Sequence, residues 1–244
     1  MSKLRERIRE AARRRPVTMG FAIARASEAK AKPALLIAVE ANDVAGVSSA
    51  VERGAGAILY TGDSEGLAAA VGAAGSIPVG RRIDAASTAD AQALTEAGAD
   101  FIVFDASTTA AEALGDRKLG HVLLLRGSPT EEELRLLGPL DVEAVLIDEP
   151  APGLTIRDQL LLRRIAASLR APLAIQVLRD APASELEVWR DAGAGMLLVA
   201  AGAPIEAIVE AASNLRPPHE RGDERPAPLL PTPKVADPDE DDDF

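Results

Sequence analysis

The stretch PLAIQVLRDAPASELEVWRDAGAGMLLVAAGAP, residues 172–204, carries the plan of the whole chain. It reads as a short apolar β-prone run, a polar turn, a helical segment, a glycine-bearing turn and a second apolar run. A parallel strand pair needs a crossover of about a dozen residues or more, and a helix supplies it. A small-residue turn at 200–204 then opens another helix, with Pro204 suited to its first turn.

The same unit recurs upstream. Strand candidates are LLIAV (35–39), AILY (57–60), IPVG (77–80), FIVF (101–104), HVLLL (121–125), AVLI (144–147), LAIQV (173–177) and MLLVA (196–200). RGAGA, EAGAD and DAGAG stand just before three of them, where glycine ends a helix and the chain turns into the next strand. Eight such units predict a (β/α)8 barrel over residues 34–213. A doubly wound open sheet also satisfies the periodicity, because spacing alone does not demonstrate closure.

The flanks differ from this body. Residues 1–15 carry seven basic and two acidic groups, and Leu4, Ile8 and Ala12 share one helical face. This predicts an amphipathic helix packed on the domain, with a membrane-surface or partner-binding arm as the other reading. VTMGFAIA, within residues 16–33, reads as an extra strand or a segment crossing one end of the barrel. Residues 214–244 are Pro-rich and charged without core-forming periodicity, so a disordered tail is expected. Its acidic run from Asp237 ends in Phe244, which also reads as a docking peptide for a protein partner.

Composition narrows the chemistry. There is no cysteine, so thiolate catalysis, disulfides and Cys-ligated metals are excluded. The two histidines, His121 and His219, cannot build a multi-His metal site, and no cofactor is expected. The formal charge of −11 disfavours a nucleic-acid surface. No run is apolar enough to cross a membrane, and the N-terminus lacks the apolar core of a secretory signal, so a cytoplasmic protein is expected.

In a (β/α)8 barrel the chemistry lies at the C-terminal ends of the strands. The residues there are polar and of mixed charge. Glu40, Asp105 and Asp148 directly follow or end inward-packed runs and are the candidate proton carriers. Arg81, Arg82 and Arg126 are candidates for gripping an anion, with Gln176 and the Gly202–Ala203 turn as further ligand contacts. A structural ion-pair ring, or a hard cation held by the three acids, accounts for the same charges. Asp43, Asp63, Asp84 and Ser107 stand where helix N-caps belong. His121 and Lys118 fall at the opposite end of the barrel. No lysine ends any of the eight strands, so a Schiff-base mechanism has no nucleophile.

VERGAGAILYTGDSEG, SIPVGRRIDAASTADAQALTEAGADFIVF and ASELEVWRDAGAGMLLVAAGAP resemble the ribulose-phosphate-binding barrels, nearest to indole-3-glycerol phosphate synthase. The resemblance spans about residues 33–213. It implies a small phosphorylated ligand held by the turns after strands seven and eight, and a lyase or isomerase reaction. The functional positions depart from that family. IAVEAND (37–43) has Glu40 one step out of the family register and lacks its lysine. Arg81–Arg82 stands where the family has Arg-Lys, and arginine holds its proton too tightly to act as the acid. Arg126 and Gln176 stand at or beside family glutamates. Two functions therefore stay open: a divergent lyase or isomerase on a small anionic metabolite, or a catalytically inactive barrel serving as a binding scaffold through its acidic tail.

Overall fold

A computed structural model describes residues 2–13, 34–116, 118–147 and 154–216. The 16–33 segment, Asp148 and the tail with Asp237 and Phe244 lie outside the described residues. Eight parallel strands, β1 (Leu36–Ala41), β2 (Ala57–Tyr60), β3 (Val79–Arg82), β4 (Phe101–Asp105), β5 (Gly120–Leu125), β6 (Ala144–Ile147), β7 (Leu173–Val177) and β8 (Ala194–Val199), pair in chain order. β1 pairs with β8, which closes the barrel and excludes the open sheet. The helices are α1 (Lys3–Arg13), α2 (Val44–Glu52), α3 (Leu67–Ala74), α4 (Thr88–Glu96), α5 (Glu131–Leu137), α6 (Ile156–Leu169), α7 (Ala183–Asp191) and α8 (Ile205–Ser213).

Alternation along each strand divides the apolar residues into two cores. Leu36, Ala38, Leu59, Phe101, Val103, Leu124, Leu146, Ala174 and Leu198 fill the barrel's interior. Ile37, Ile58, Ile102, Leu123, Val145, Ile175 and Leu197 face outward into the helix layer. Gly80 has a specific packing reason. A Cβ there would lie 2.3 Å from the Phe101 ring, so glycine on β3 makes room for the largest interior side chain. The three turn glycines read from the sequence, Gly54, Gly98 and Gly193, all have positive φ (96°, 82° and 108°), a conformation that costs glycine least.

The basic N-terminal helix closes the base of the barrel. Leu4, Ile8 and Ala11 are buried and join the interior core. The Asp100 carboxylate, just before β4, accepts from the amides of Lys3 and Leu4 at 2.8 Å each and satisfies two of the helix's orphan donors. Arg5 reaches Asp141 at 2.7 Å and Glu143 at 3.5 Å. The apolar face of α1 is thus spent on the domain itself. Buried Ala11 belongs to that face, while Ala12, grouped with it from the sequence, is exposed.

Several boundaries differ from the sequence reading, and two of the differences matter most for function. β3 begins at Val79, because Pro78 has no amide to give to the ladder. At its other end the strand runs on through Arg81 and Arg82, which pair with Ile102 and Val103 of β4. The fourth crossover, read as a helical unit, carries, among its described residues, only a 3-10 turn at Ala111–Gly115. Fourteen residues, 106–119, join β4 to β5, and several of the first are bound to strand-end groups. Thr108 donates its hydroxyl to the Asp84 carbonyl, and the amide of Thr109 bonds to the Asp105 carbonyl at 3.1 Å.

Candidate functional site

The polar layer sits at the C-terminal mouth, opposite α1. Period-two alternation sets it up. Glu40 follows interior Ala38, Arg82 follows Gly80, Asp105 follows Val103, and Gln176 follows Ala174. Glu40 and Gln176 meet across β8, with the Gln176 Nε2 donating to Glu40 Oε1 at 3.4 Å. Both are half-buried.

A chain of charges crosses the other side of the mouth. Arg82 Nε bonds to Asp84 Oδ1 at 2.8 Å, and Asp84 Oδ2 takes Arg126 Nη2 at 2.8 Å. Arg126 Nε lies 3.4 Å from Asp105 Oδ2. Ser107 donates to Asp105 through its hydroxyl and through its amide, the latter at 2.9 Å. The structure therefore brings Arg82, Arg126 and Asp105 together.

Arg81 is the exception. Adjacent strand residues point to opposite faces, so Arg81 turns away from the interior and donates to Ser64 Oγ at 2.8 Å. Arg81 and Arg82 therefore stand on opposite faces of β3, because the strand has not ended where the two residues stand. Asp84 and Ser107 also depart from expectation. The cap of α4 is Ser87, in a capping box with Asp90, and no α-helix follows Ser107. Both belong to the charged cluster instead. Asp84's place two residues after Arg82 was the available signal, and the plausible cap reading obscured it. Asp43 and Asp63 do bind helix-entry amides, at Gly46 and Gly66, each at 2.6 Å.

The electrostatics separate the acids by role. Hydrogen bonds from Arg82, with the charge of Arg126, hold the Asp84 carboxyl below the usual carboxylate range. The Ser107 hydroxyl and amide, and then Arg126, lower that of Asp105. Both are ionised at neutral pH and are weak bases there, so they suit orienting cations better than moving protons. Glu40 is held on a different set of neighbours, of which Gln176 is one.

Exposure decides what the charge chain is for. The Arg126 side chain is 50% exposed and that of Asp84 51%. Ion pairs so placed contribute about 0–1 kcal/mol each. The Arg126–Asp84 pair is therefore individually weak, and the Arg126 guanidinium is open to solvent.

The turn after β8 places Gly202 at φ +89° and buries Ala203. The amides of Ala203 and Ile205 already donate to the carbonyls of Ala200 and Ala203, at 3.1 and 2.9 Å. Glu206, in the first turn of α8, pairs with Arg53 and adds negative charge beside the helix entrance. A phosphate at this turn would have to use the remaining amides. His121 and Lys118 lie at the base, as read from the sequence, and His121 packs edge-on against Phe104.

No protein-family model and no curated protein sequence matches this chain. Its likenesses are to solved structures. One is 2,3-dimethylmalate lyase, a PEP mutase/isocitrate lyase superfamily member, at 14% identity and a TM-score of 0.52, covering 77% of this chain and 81% of the other. Another is oxaloacetate acetylhydrolase, at 9% identity and a TM-score of 0.51, covering 68% and 75%. At such identities the likeness establishes the barrel fold. The indole-3-glycerol phosphate synthase resemblance finds no counterpart in these two structures.

Proposed function

We propose that this barrel is a divergent lyase acting on a small anionic metabolite at the mouth. The carrying observation is the charge-balanced chain Arg82–Asp84–Arg126–Asp105, with Asp84 and Arg126 half exposed, together with the half-buried Glu40–Gln176 pair. Arg82 and Arg126 hold a carboxylate or phosphate, displacing weak pairs to do so. Asp84 and Asp105 keep the two guanidinium groups apart and aimed. Glu40 takes the proton of a substrate hydroxyl, the adjacent C–C bond breaks, and the electron pair moves into a neighbouring carbonyl as an enolate. The arginines then stabilise the negative charge where it develops.

The two structural neighbours support this choice of substrate class, since their names point to malate- and oxaloacetate-type acids. A phosphorylated ligand, which the sequence motifs imply, satisfies the same arginines. The indole-3-glycerol phosphate synthase reaction is disfavoured, because no lysine stands at a strand end to act as its acid.

The test is thermal unfolding against malate, oxaloacetate, phosphoenolpyruvate and ribulose 5-phosphate, with and without divalent cations. A ligand that binds only the folded state raises the midpoint with its concentration. The expected result is a saturable rise for at least one acid, lost in Arg82→Ala and Arg126→Ala, with Glu40→Gln binding but not turning over. No rise from any member would favour the scaffold reading, in which the acidic run to Phe244 makes the contact.

A further inference from the structure

The helix layer is thinnest at the fourth crossover, where one 3-10 turn stands in place of an α-helix. Among the described residues, Leu123 and Leu125 of β5 line the space between the β4–β5 connection and α5, near the mouth. A cavity of about 480 Å³ opens there. Part of its wall is apolar, with Leu125 at the end of β5, Pro129 in the loop, and Leu136 and Leu137 on α5, while Ser128 and Glu133 make the rest polar. Its rim is Asp105 and Arg126, two members of the charged cluster. Leu136 is 71% exposed, a large apolar side chain lying open to solvent beside an arginine.

We propose that this cavity receives an aliphatic substituent of the ligand whose anionic head Arg126 holds. The inference rests on the anionic-ligand reading of the mouth and narrows it to branched or alkyl-bearing acids. Two features point the same way. The apolar wall begins where the cation ends, so one molecule with a charged head and a short apolar arm satisfies both. The volume falls in the range of small-ligand sites, of which only the arm's share is needed. Glu133, on the same wall, is held by Thr130 in the helix-capping box, so it stays ionised and marks the solvent edge. An arm with a terminal anion would meet repulsion there, which leaves an uncharged aliphatic group as the fit.

The experiment is calorimetric binding of malate, 2-methylmalate and 2-isopropylmalate to the full chain. These share one dicarboxylate and grow in the apolar arm alone. Affinity is expected to rise roughly three- to four-fold per buried methylene. Leu136→Glu is expected to bring the isopropyl-to-malate affinity ratio close to one, whereas Leu136→Met keeps the gradient. Leu136 is exposed, so both variants are expected to fold, with circular dichroism as the check. Equal affinities across the series in the unaltered chain, or a gradient that survives Leu136→Glu, would overturn the inference while the anionic mouth stands. Binding of none of the three, with phosphoenolpyruvate and ribulose 5-phosphate also silent, would overturn both.

Discussion

Asp84 and Arg126 meet at 2.8 Å, a contact that ties the segment after β3 to the one after β5 across the end of β4. The same carboxylate holds Arg82 at 2.8 Å. One acid thus sets the spacing of the two cations that the proposed function needs.

Asp84→Asn is expected to change stability by less than about 1 kcal/mol at neutral pH, because the pairs are half exposed. The folded-state pKa is lowered, so the contribution is present above the unfolded value of about 3.9 and is lost as pH falls through the folded one. Urea unfolding at neutral and at strongly acid pH should show the difference between the two proteins only at the former. Malate or sulfate should bind the variant more weakly, since the two arginines lose the acid that sets their spacing.

Glu143 carries the opposite sign. Its side chain is only 8% exposed, and burial pushes its carboxyl above the usual range, with Ser2 and Arg5 opposing. The folded protein therefore binds this proton more tightly than the unfolded chain does. Stability from this group is present below the unfolded pKa of about 4.3 and is lost as pH rises through the folded value. Glu143→Gln should flatten that loss. Urea unfolding of both proteins in steps from about pH 4 to 7 is the measurement, and parallel curves would contradict the assignment.

Gly80→Ala should be strongly felt. Its Cβ would stand 2.3 Å from the Phe101 ring, inside a packed interior with no free side to move into. Overpacking of this kind costs about 1–3 kcal/mol. A lowered unfolding midpoint, partly restored by a Phe101→Leu second change, is the expected outcome.

Much of the architecture was legible in local pattern. Apolar runs, turn glycines and helical spacing are short-range signals, and they place the strands and helices along the chain but not which strands pair, since a doubly wound sheet satisfies the same repeat. The membership of the mouth was legible too, because Glu40, Arg82, Asp105, Arg126 and Gln176 sit at run ends. The separation of Arg81 from Arg82 was not. It depends on where the ladder ends, and β3 stays paired with β4 through Arg82.

What the sequence alone determined is the repeating unit, the strand set, the absence of thiol and multi-His chemistry, and the polar character of one barrel end. Closure of β1 on β8, the docking of α1 into the base and the recruitment of Asp84 and Ser107 were decided only in three dimensions. The physical reason is range. A strand or a cap is specified by neighbours a few residues away. Arg126 and Asp84 lie 42 residues apart, and the Lys3 amide lies 97 from Asp100. Contacts of that length exist only after the barrel has closed and brought its strand ends into one ring.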